Sequence, residues 1–110
     1  MNSIVDLIYL IKPRPVFYLK GNSINLLDAY ISGWIYRSPQ DINDINIMLE
    51  FQGWVEKRYS QNISQSWAKI ILFHSTDEYE ALNNFFYDFD LFLKEIKYTF
   101  PKSNENIITP

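Results

Sequence analysis

Cysteine is absent from this chain of 110 residues, and histidine occurs only once, as His74. Without cysteine the chain can form no disulfide, no cysteine-ligated zinc site and no thiol nucleophile. A single histidine also excludes any metal site built from several histidines and most catalysis by a histidine pair. The absence of cysteine is compatible with the reducing cytoplasm, which is where we expect the protein to act.

Glycine is scarce as well, with three residues in the chain. Phosphate-binding glycine loops and the Gly-Xaa-Ser-Xaa-Gly turn need glycines at fixed close spacing, and neither pattern occurs. Asp88 and Asp90 would point about 200° apart on a helix, so they could not share a proton or a metal ion. We therefore expect no catalytic residue, no metal and no cofactor, and predict that the protein is not an enzyme.

One enzymatic alternative uses Arg58 or Arg14 as an anion site beside an acidic group. Arg58 is more simply interpreted as a structural residue that caps helix carbonyls or pairs with an acid. Turnover of a nucleotide or ester that disappeared in an Arg58→Ala variant of unchanged stability would support the enzymatic alternative.

Long apolar runs and a basic charge excess are also lacking. If tyrosine is not counted as apolar, the longest uninterrupted apolar run covers residues 70–73, whereas a membrane span needs about 20 residues. The net charge is −3 and the basic residues are scattered, so a nucleic-acid backbone would be repelled. From the N-terminal residues we expect no targeting signal. We expect neither a membrane nor a nucleic acid as partner.

Hydrophobic residues make up 47% of the sequence and aromatic residues 17%. This composition is typical of a folded domain, and a chain of this size buries about two-thirds of its surface on folding. The periodicity predicts an all-α fold: a single compact domain of about five helices over residues 1–99, followed by a polar tail over residues 100–110.

The first half of the chain contains three predicted helices. The first spans about residues 3–11, and an irregular crossing over residues 14–21 follows it, with Gly21 free to take a positive φ. Ser23 is the predicted N-cap of the second helix, which ends before Pro39. Asp41 or Asn43 would cap the third helix, whose apolar side consists of Ile45, Met48, Phe51 or Gln52, Val55 and Tyr59.

Gly33 and Gly53 fall inside these helices, where glycine costs about 1 kcal/mol relative to alanine. Close backbone approach beside the neighbouring tryptophans would explain them, and sequence drift is the alternative. Residues 64–74 fit either a buried helix or a short buried strand. We favour the helix, because the other segments are helical and a lone strand would have no partner.

The last helix gives the clearest signal and spans about residues 76–97. Ser75 and Glu78 have the spacing of a capping box. The apolar residues then follow helical spacing over four turns: Leu82, Phe85, Phe86, Phe89, Phe92, Leu93 and Ile96. We expect these phenylalanines to pack the helix against the first three.

The opposite side of this helix is the predicted partner-binding surface. Residues 77–90 contain five acidic residues and no basic one. An aromatic and a leucine within an acidic face are typical of a binding patch, although an ordinary solvated face is the alternative. The candidate partner-binding residues are Asp77, Glu80, Asn84, Tyr87, Asp88 and Leu91.

Several short segments follow one another in a distinctive order: Arg14-Pro15-Val16-Phe17-Tyr18-Leu19, Ser23-Ile24, Phe51-Gln52-Gly53-Trp54-Val55, Arg58-Tyr59, Ser64, Trp67, Ile70-Ile71-Leu72-Phe73, Glu80-Ala81 and Phe85-Phe86. Together they resemble a family of small bacterial immunity proteins of contact-dependent growth inhibition and related polymorphic toxin systems. The resemblance covers about residues 3–97 and departs at Val16, where related sequences tend to have glycine. It implies a compact helical protein that binds a cognate toxin domain and blocks it in the cytoplasm, without catalysis.

The residues and the resemblance together predict an immunity protein that neutralises a toxin domain, with a nuclease whose cleft is basic as the expected partner. A cytoplasmic helical adaptor for an unknown partner is the alternative. Self-association through the acidic helix is disfavoured by charge repulsion, so we expect a monomer when the protein is free. A large secreted protein with a variable C-terminal domain is expected to be encoded immediately upstream.

Overall fold

The computed structural model describes residues 2–60 and 64–100, and within them every regular element is a helix. There are six α-helices: α1 Ile4–Ile11, α2 Pro15–Leu19, α3 Ile24–Arg37, α4 Ile47–Arg58, α5 Trp67–Phe73 and α6 Glu78–Glu95. A single 3₁₀ turn, Pro39–Asp41, follows α3. The predicted all-α class is confirmed, and the ambiguous segment before residue 75 contains the helix α5. Residues 101–110 of the predicted tail lie outside the described residues.

Helix α3 follows the sequence prediction closely. Ser23 is its N-cap, and the Ser23 side chain accepts a hydrogen bond from the backbone N–H of Leu26 at 3.2 Å. The helix ends at Arg37, before Pro39. The serine N-cap and the following proline therefore predicted both ends of α3 correctly.

The predicted irregular crossing over residues 14–21 is wrong, because it contains the short helix α2. Pro15 occupies its first turn, where a fixed φ favours helix and no N–H is needed. The positive φ expected at Gly21 occurs instead at Lys20, where φ is 63°. The Lys20 N–H donates to the carbonyl of Val16 at 2.9 Å and ends the helix.

Helix α4 begins later than predicted. Neither Asp41 nor Asn43 is its N-cap. The N-cap is Asn46, which makes no side-chain capping bond. Its buried side consists of Ile47, Phe51 and Val55, whereas Ile45 is exposed. The predicted apolar side was therefore correct at Phe51 and Val55, but it begins at Ile47 rather than at Ile45.

The acid nearest this start, Asp44, serves a different helix. Its carboxylate accepts from the backbone N–H groups of Ile4 at 2.7 Å and Val5 at 3.0 Å, and from the Ser3 hydroxyl at 2.9 Å. These N–H groups belong to the first turn of α1, where helical donors lack intrahelical partners. Asp44 therefore caps α1 from about 40 residues away in sequence.

The capping box of α6 lies two residues after the predicted position. Asp77 is the N-cap and accepts from the Glu80 N–H at 2.8 Å, while the Glu80 carboxylate accepts from the Thr76 N–H at 2.8 Å. Ser75 instead donates to the carbonyl of Ile71 at 2.7 Å, because α5 ends immediately before it. Residue 96 lies beyond the helix, so Ile96 is exposed rather than part of the buried stripe.

The core is centred on Phe51 of α4, whose ring is fully buried. Ring centroids of Phe85, Phe89 and Phe92 lie 5.5, 5.3 and 5.4 Å from that of Phe51. All three belong to the predicted stripe of α6. The phenylalanines of α6 therefore pack against α4, one of the three helices expected to receive them, and this packing fixes which side of α6 faces outward.

Close backbone approach does not explain Gly33 or Gly53. A Cβ atom added at either position would have no neighbour within 4 Å. We expect Gly33→Ala and Gly53→Ala each to raise the free energy of unfolding by about 0.5–1 kcal/mol, because alanine restricts the unfolded chain and favours helix. Urea denaturation measures this gain. Gly21→Ala is the control, since its Cβ would lie 3.1 Å from the Leu26 side chain, and stabilisation there alone would contradict the explanation.

Candidate functional site

Five of the six predicted partner-binding residues line the outward side of α6. Asp77, Glu80 and Tyr87 are exposed, and Asn84 and Leu91 are half-buried. Tyr87 is the most prominent, with 65% of its surface exposed. We call these five residues the outer ridge, and they run along α6 from its first turn to its last third.

The N-terminal half of the outer ridge is fixed by hydrogen bonds to the preceding loop. Asp77 and Glu80 form the capping box, and the Asn84 amide donates to the Ser75 hydroxyl at 3.0 Å. Because Ser75 in turn donates to the end of α5, this part of the ridge is tied to two helices. Little side-chain freedom remains to be lost there on binding.

The sixth predicted residue, Asp88, is wrongly placed by the sequence analysis, because it is only 1% exposed. One carboxylate oxygen lies 3.1 Å from Nε of Arg58, and the other accepts from the Tyr59 hydroxyl at 2.5 Å. Asp88 precedes Phe89 by about 100° on the helix, where the end of α4 covers it. The long-range pairing with Arg58 could not be read from local periodicity.

Burial raises the pKa of Asp88 above its ordinary value, and the bonds from Tyr59 and Arg58 only partly offset this effect. The same burial, together with the neighbouring Asp88 carboxylate, raises the pKa of Tyr59 to about 12. The phenol therefore remains a hydrogen-bond donor at neutral pH. Arg58 has the structural role predicted for it, which is pairing with an acid.

Asp90 points to a different side of α6 and pairs with α1. Lys12 Nζ lies 2.6 Å from its carboxylate, and the Tyr9 hydroxyl donates to the other oxygen. Burial alone would raise the pKa of Asp90, but these two hydrogen bonds outweigh it and hold the pKa below its ordinary value. The two aspartates therefore join α6 to separate helices and do not form a shared site.

The negative charge of α6 is concentrated at its N-terminal end. Of the five acids in residues 77–90, Asp88 and Asp90 are each paired with a cation. Glu78 receives hydrogen bonds from the side chains of Ser23 and Asn25 but has no cationic partner among the described residues. Within the described residues, three carboxylates at this end therefore have no salt bridge and remain uncompensated, those of Asp77, Glu78 and Glu80.

A groove that the sequence analysis missed lies at the other end of α6. It has a volume of about 370 Å³ and is lined by Trp54, Lys57, Arg58 and Glu95. Trp54 Nε1 donates to the Glu95 carboxylate at 2.9 Å, and the Arg58 guanidinium lies 5.3 Å from the centre of the Trp54 ring. The spacing of Trp54 and Arg58, four residues apart on one helix, was the available signal.

The described residues hold no group of three or more histidine, cysteine, aspartate or glutamate side chains that could bind a metal ion. Over the same part of the chain, no helix combines the length and apolar character needed to cross a bilayer. The candidate site therefore consists of the outer ridge and the adjoining groove.

Comparison with known proteins identifies no relative of this chain. The chain matches no protein-family model, no curated protein and no solved structure. The functional argument consequently depends on the residues and contacts described above and on the resemblance seen in the sequence.

Proposed function

We propose that this protein is an immunity protein that binds a cognate toxin domain, of the nuclease class, and neutralises it in the bacterial cytoplasm. The observation that carries the proposal is the outer ridge, in which Tyr87 stands exposed at the centre of a well-capped helix with an acidic end. The resemblance to immunity proteins supports the same function. In this proposal the protein acts by binding the toxin domain and not by catalysis.

Tyr87 has the properties of an interface anchor. It offers a large apolar ring with a polar hydroxyl, and it loses few rotatable bonds when it becomes buried. Asn84 and Leu91 lie about one turn to either side and can surround the ring with one polar and one apolar neighbour. Central aromatic residues of this kind contribute much of the affinity in protein interfaces.

The acidic end of α6 supports a partner with a basic surface. A nuclease must hold a phosphate backbone, so its cleft carries positive charge. The uncompensated carboxylates Asp77, Glu78 and Glu80 would attract such a surface and increase the association rate. Rapid capture suits an inhibitor that must act after a toxin has entered the cell.

The side-chain contacts between helices also support a binding role. Asp88 pairs with Arg58 and Tyr59, and Asp90 pairs with Lys12. These interactions hold α6 against α4 and α1. They give the outer ridge a rigid support, which lowers the cost of binding.

Tyr87→Ala should weaken binding of the C-terminal domain of the protein encoded immediately upstream. We expect a loss of about 2 kcal/mol, roughly 30-fold in Kd, because the anchor is removed while the exposed position leaves folding intact. Isothermal titration calorimetry measures this change. Tyr36→Ala is the matched control, since Tyr36 is 81% exposed on α3 and lies outside the ridge.

Equal affinities for the two variants, or full affinity of Tyr87→Ala, would exclude the outer ridge as the binding surface.

Glu80→Gln should act mainly on the association rate, and its effect should decrease as salt is added. An effect of Glu80→Gln that is confined to the dissociation rate would contradict the proposed electrostatic attraction.

A further inference from the structure

The groove beside the last turn of α6 has a defined chemical character. It is lined by the aromatic residue Trp54, the cations Lys57 and Arg58 and the acidic residue Glu95. Trp54 stacks on the buried Phe51 ring, with an interplanar angle of 16°, so this lining residue is anchored in the core. The groove is therefore a stable feature of the α4 and α6 packing.

We propose that this groove receives an acidic side chain of the partner protein, whose carboxylate binds Lys57 and Arg58 above Trp54. The inference rests on the proposed function, because it assigns a second contact to the same partner. It also defines the partner further: a basic region faces the acidic end of α6, and a separate acidic residue enters the groove.

Arg58 is oriented for this contact before any partner binds. Its Nε is held 3.1 Å from the buried carboxylate of Asp88, and its guanidinium lies over the Trp54 ring. The side chain nevertheless remains 37% exposed. A guanidinium fixed at one edge can bind a second carboxylate with little further loss of rotamer entropy.

The charges that line the groove favour an acidic side chain over a nucleic acid. The groove is lined by the cations Lys57 and Arg58 and by one carboxylate, that of Glu95, which is held by the Trp54 indole. Asp88 is covered and partly neutralises Arg58 through Nε, whereas Lys57 has no salt bridge within the described residues. A nucleic acid would bring many phosphates close to Glu95 and to the acidic end of α6, where they would be repelled.

The groove continues the outer ridge along α6. Leu91 lies one turn before Glu95, and Glu80 lies about 22 Å from Glu95 along the helix axis. A partner that covers the ridge therefore reaches both ends within one interface of ordinary dimensions. Opposite charges at the two ends would fix the orientation of the partner along α6.

The test follows the Trp54 indole N–H by two-dimensional NMR in the full chain. The probe is the acetylated and amidated tetrapeptide Glu-Asp-Glu-Asp, titrated through the low millimolar range. We expect a saturable shift of this signal with a Kd of about 1 mM. Lys57→Glu should weaken binding at least about tenfold, Glu95→Gln should strengthen it about threefold, and the control Lys69→Glu, on the exposed side of α5, should leave it unchanged.

Three results would overturn the inference. They are an unperturbed Trp54 signal, a stronger response to the tetrapeptide Lys-Arg-Lys-Arg, and tighter binding of single-stranded octathymidylate than of the acidic peptide. The signs of the Lys57→Glu and Glu95→Gln effects would be exchanged if the groove took a cation.

The upstream-encoded toxin domain separates failure of this inference from failure of the proposed function. If Tyr87→Ala weakens that complex and Lys57→Glu does not, the groove assignment is wrong and the immunity function stands. If the wild-type chain does not bind the domain at all, the proposed function fails. Weakening by both variants supports both proposals.

Discussion

Phe51→Ala should lower the free energy of unfolding by about 3–5 kcal/mol, a large part of the 5–15 kcal/mol typical of a domain. Phe51 is fully buried, and its ring centroid lies 5.3 to 5.5 Å from those of Phe85, Phe89 and Phe92. Removing it opens a cavity where α4 meets α6. Urea denaturation followed by circular dichroism measures the loss.

Phe73→Ala is the matched control, because it removes the same atoms from a ring that is 79% exposed. It should change stability by no more than about 0.5 kcal/mol. Comparable losses in the two variants would show that the core is not centred on Phe51. A large loss for Phe51→Ala alone supports the packing that directs the outer ridge toward solvent.

Asp88→Ala should destabilise the protein by about 2–3 kcal/mol. The substitution leaves the Tyr59 hydroxyl and the Arg58 guanidinium without their buried acceptor. The expected loss is smaller than for a fully enclosed pair, because water can reach Arg58. Asp90→Ala is the control, and it should cost at most about 1 kcal/mol, because its pair with Lys12 is partly exposed.

The two variants should respond to acid in opposite directions. The raised pKa of Asp88 means that the folded state binds a proton more readily than the unfolded state, so protonation of Asp88 favours folding between this pKa and about 3.9. Asp88→Ala loses that contribution, and its cost should grow on acidification through this window. The lowered pKa of Asp90 gives stability that disappears as pH falls below about 3.9, so the cost of Asp90→Ala should shrink there. Equal pH profiles would contradict the two assigned environments.

The parts of the fold that could be predicted are those specified by neighbouring residues. Ser23 and Pro39 mark the two ends of α3, and the phenylalanine spacing of α6 identifies its buried side. Both signals act within one helix. The predicted start of α6 was also wrong for a local reason. The sequence contains two overlapping candidate capping boxes, one beginning at Ser75 and one at Asp77. The Ser75 hydroxyl bonds to the end of α5, so Asp77 is the N-cap.

The remaining differences come from contacts between distant segments. Asp41 or Asn43 was expected to cap α4, yet the nearby Asp44 caps α1 instead, because the fold brings the two segments together. Asp88 was expected at the surface, yet Arg58 and Tyr59 at the end of α4 cover it. Periodicity along one helix contains no information about which helix will pack on its flank.

The candidate site shows the same division. Tyr87 and Glu80 lie on the outward side of α6, as helical geometry predicts once the buried side is known. For the groove, the sequence offered only the spacing of Trp54 and Arg58 on α4, because the groove forms where Glu95 of α6 meets these two residues. Sites within one helix are accessible to sequence analysis, whereas sites between helices require the packed structure.

Co-expression in bacterial cells measures whether this chain protects against the toxin domain. The C-terminal domain of the protein encoded immediately upstream is induced in bacterial cells with or without this chain, and surviving colonies are counted. Our account predicts that cells survive only when this chain is present, that Tyr36→Ala protects fully and that Tyr87→Ala protects less at equal protein levels. A domain that is toxic regardless of this chain, or harmless without it, would contradict the immunity function.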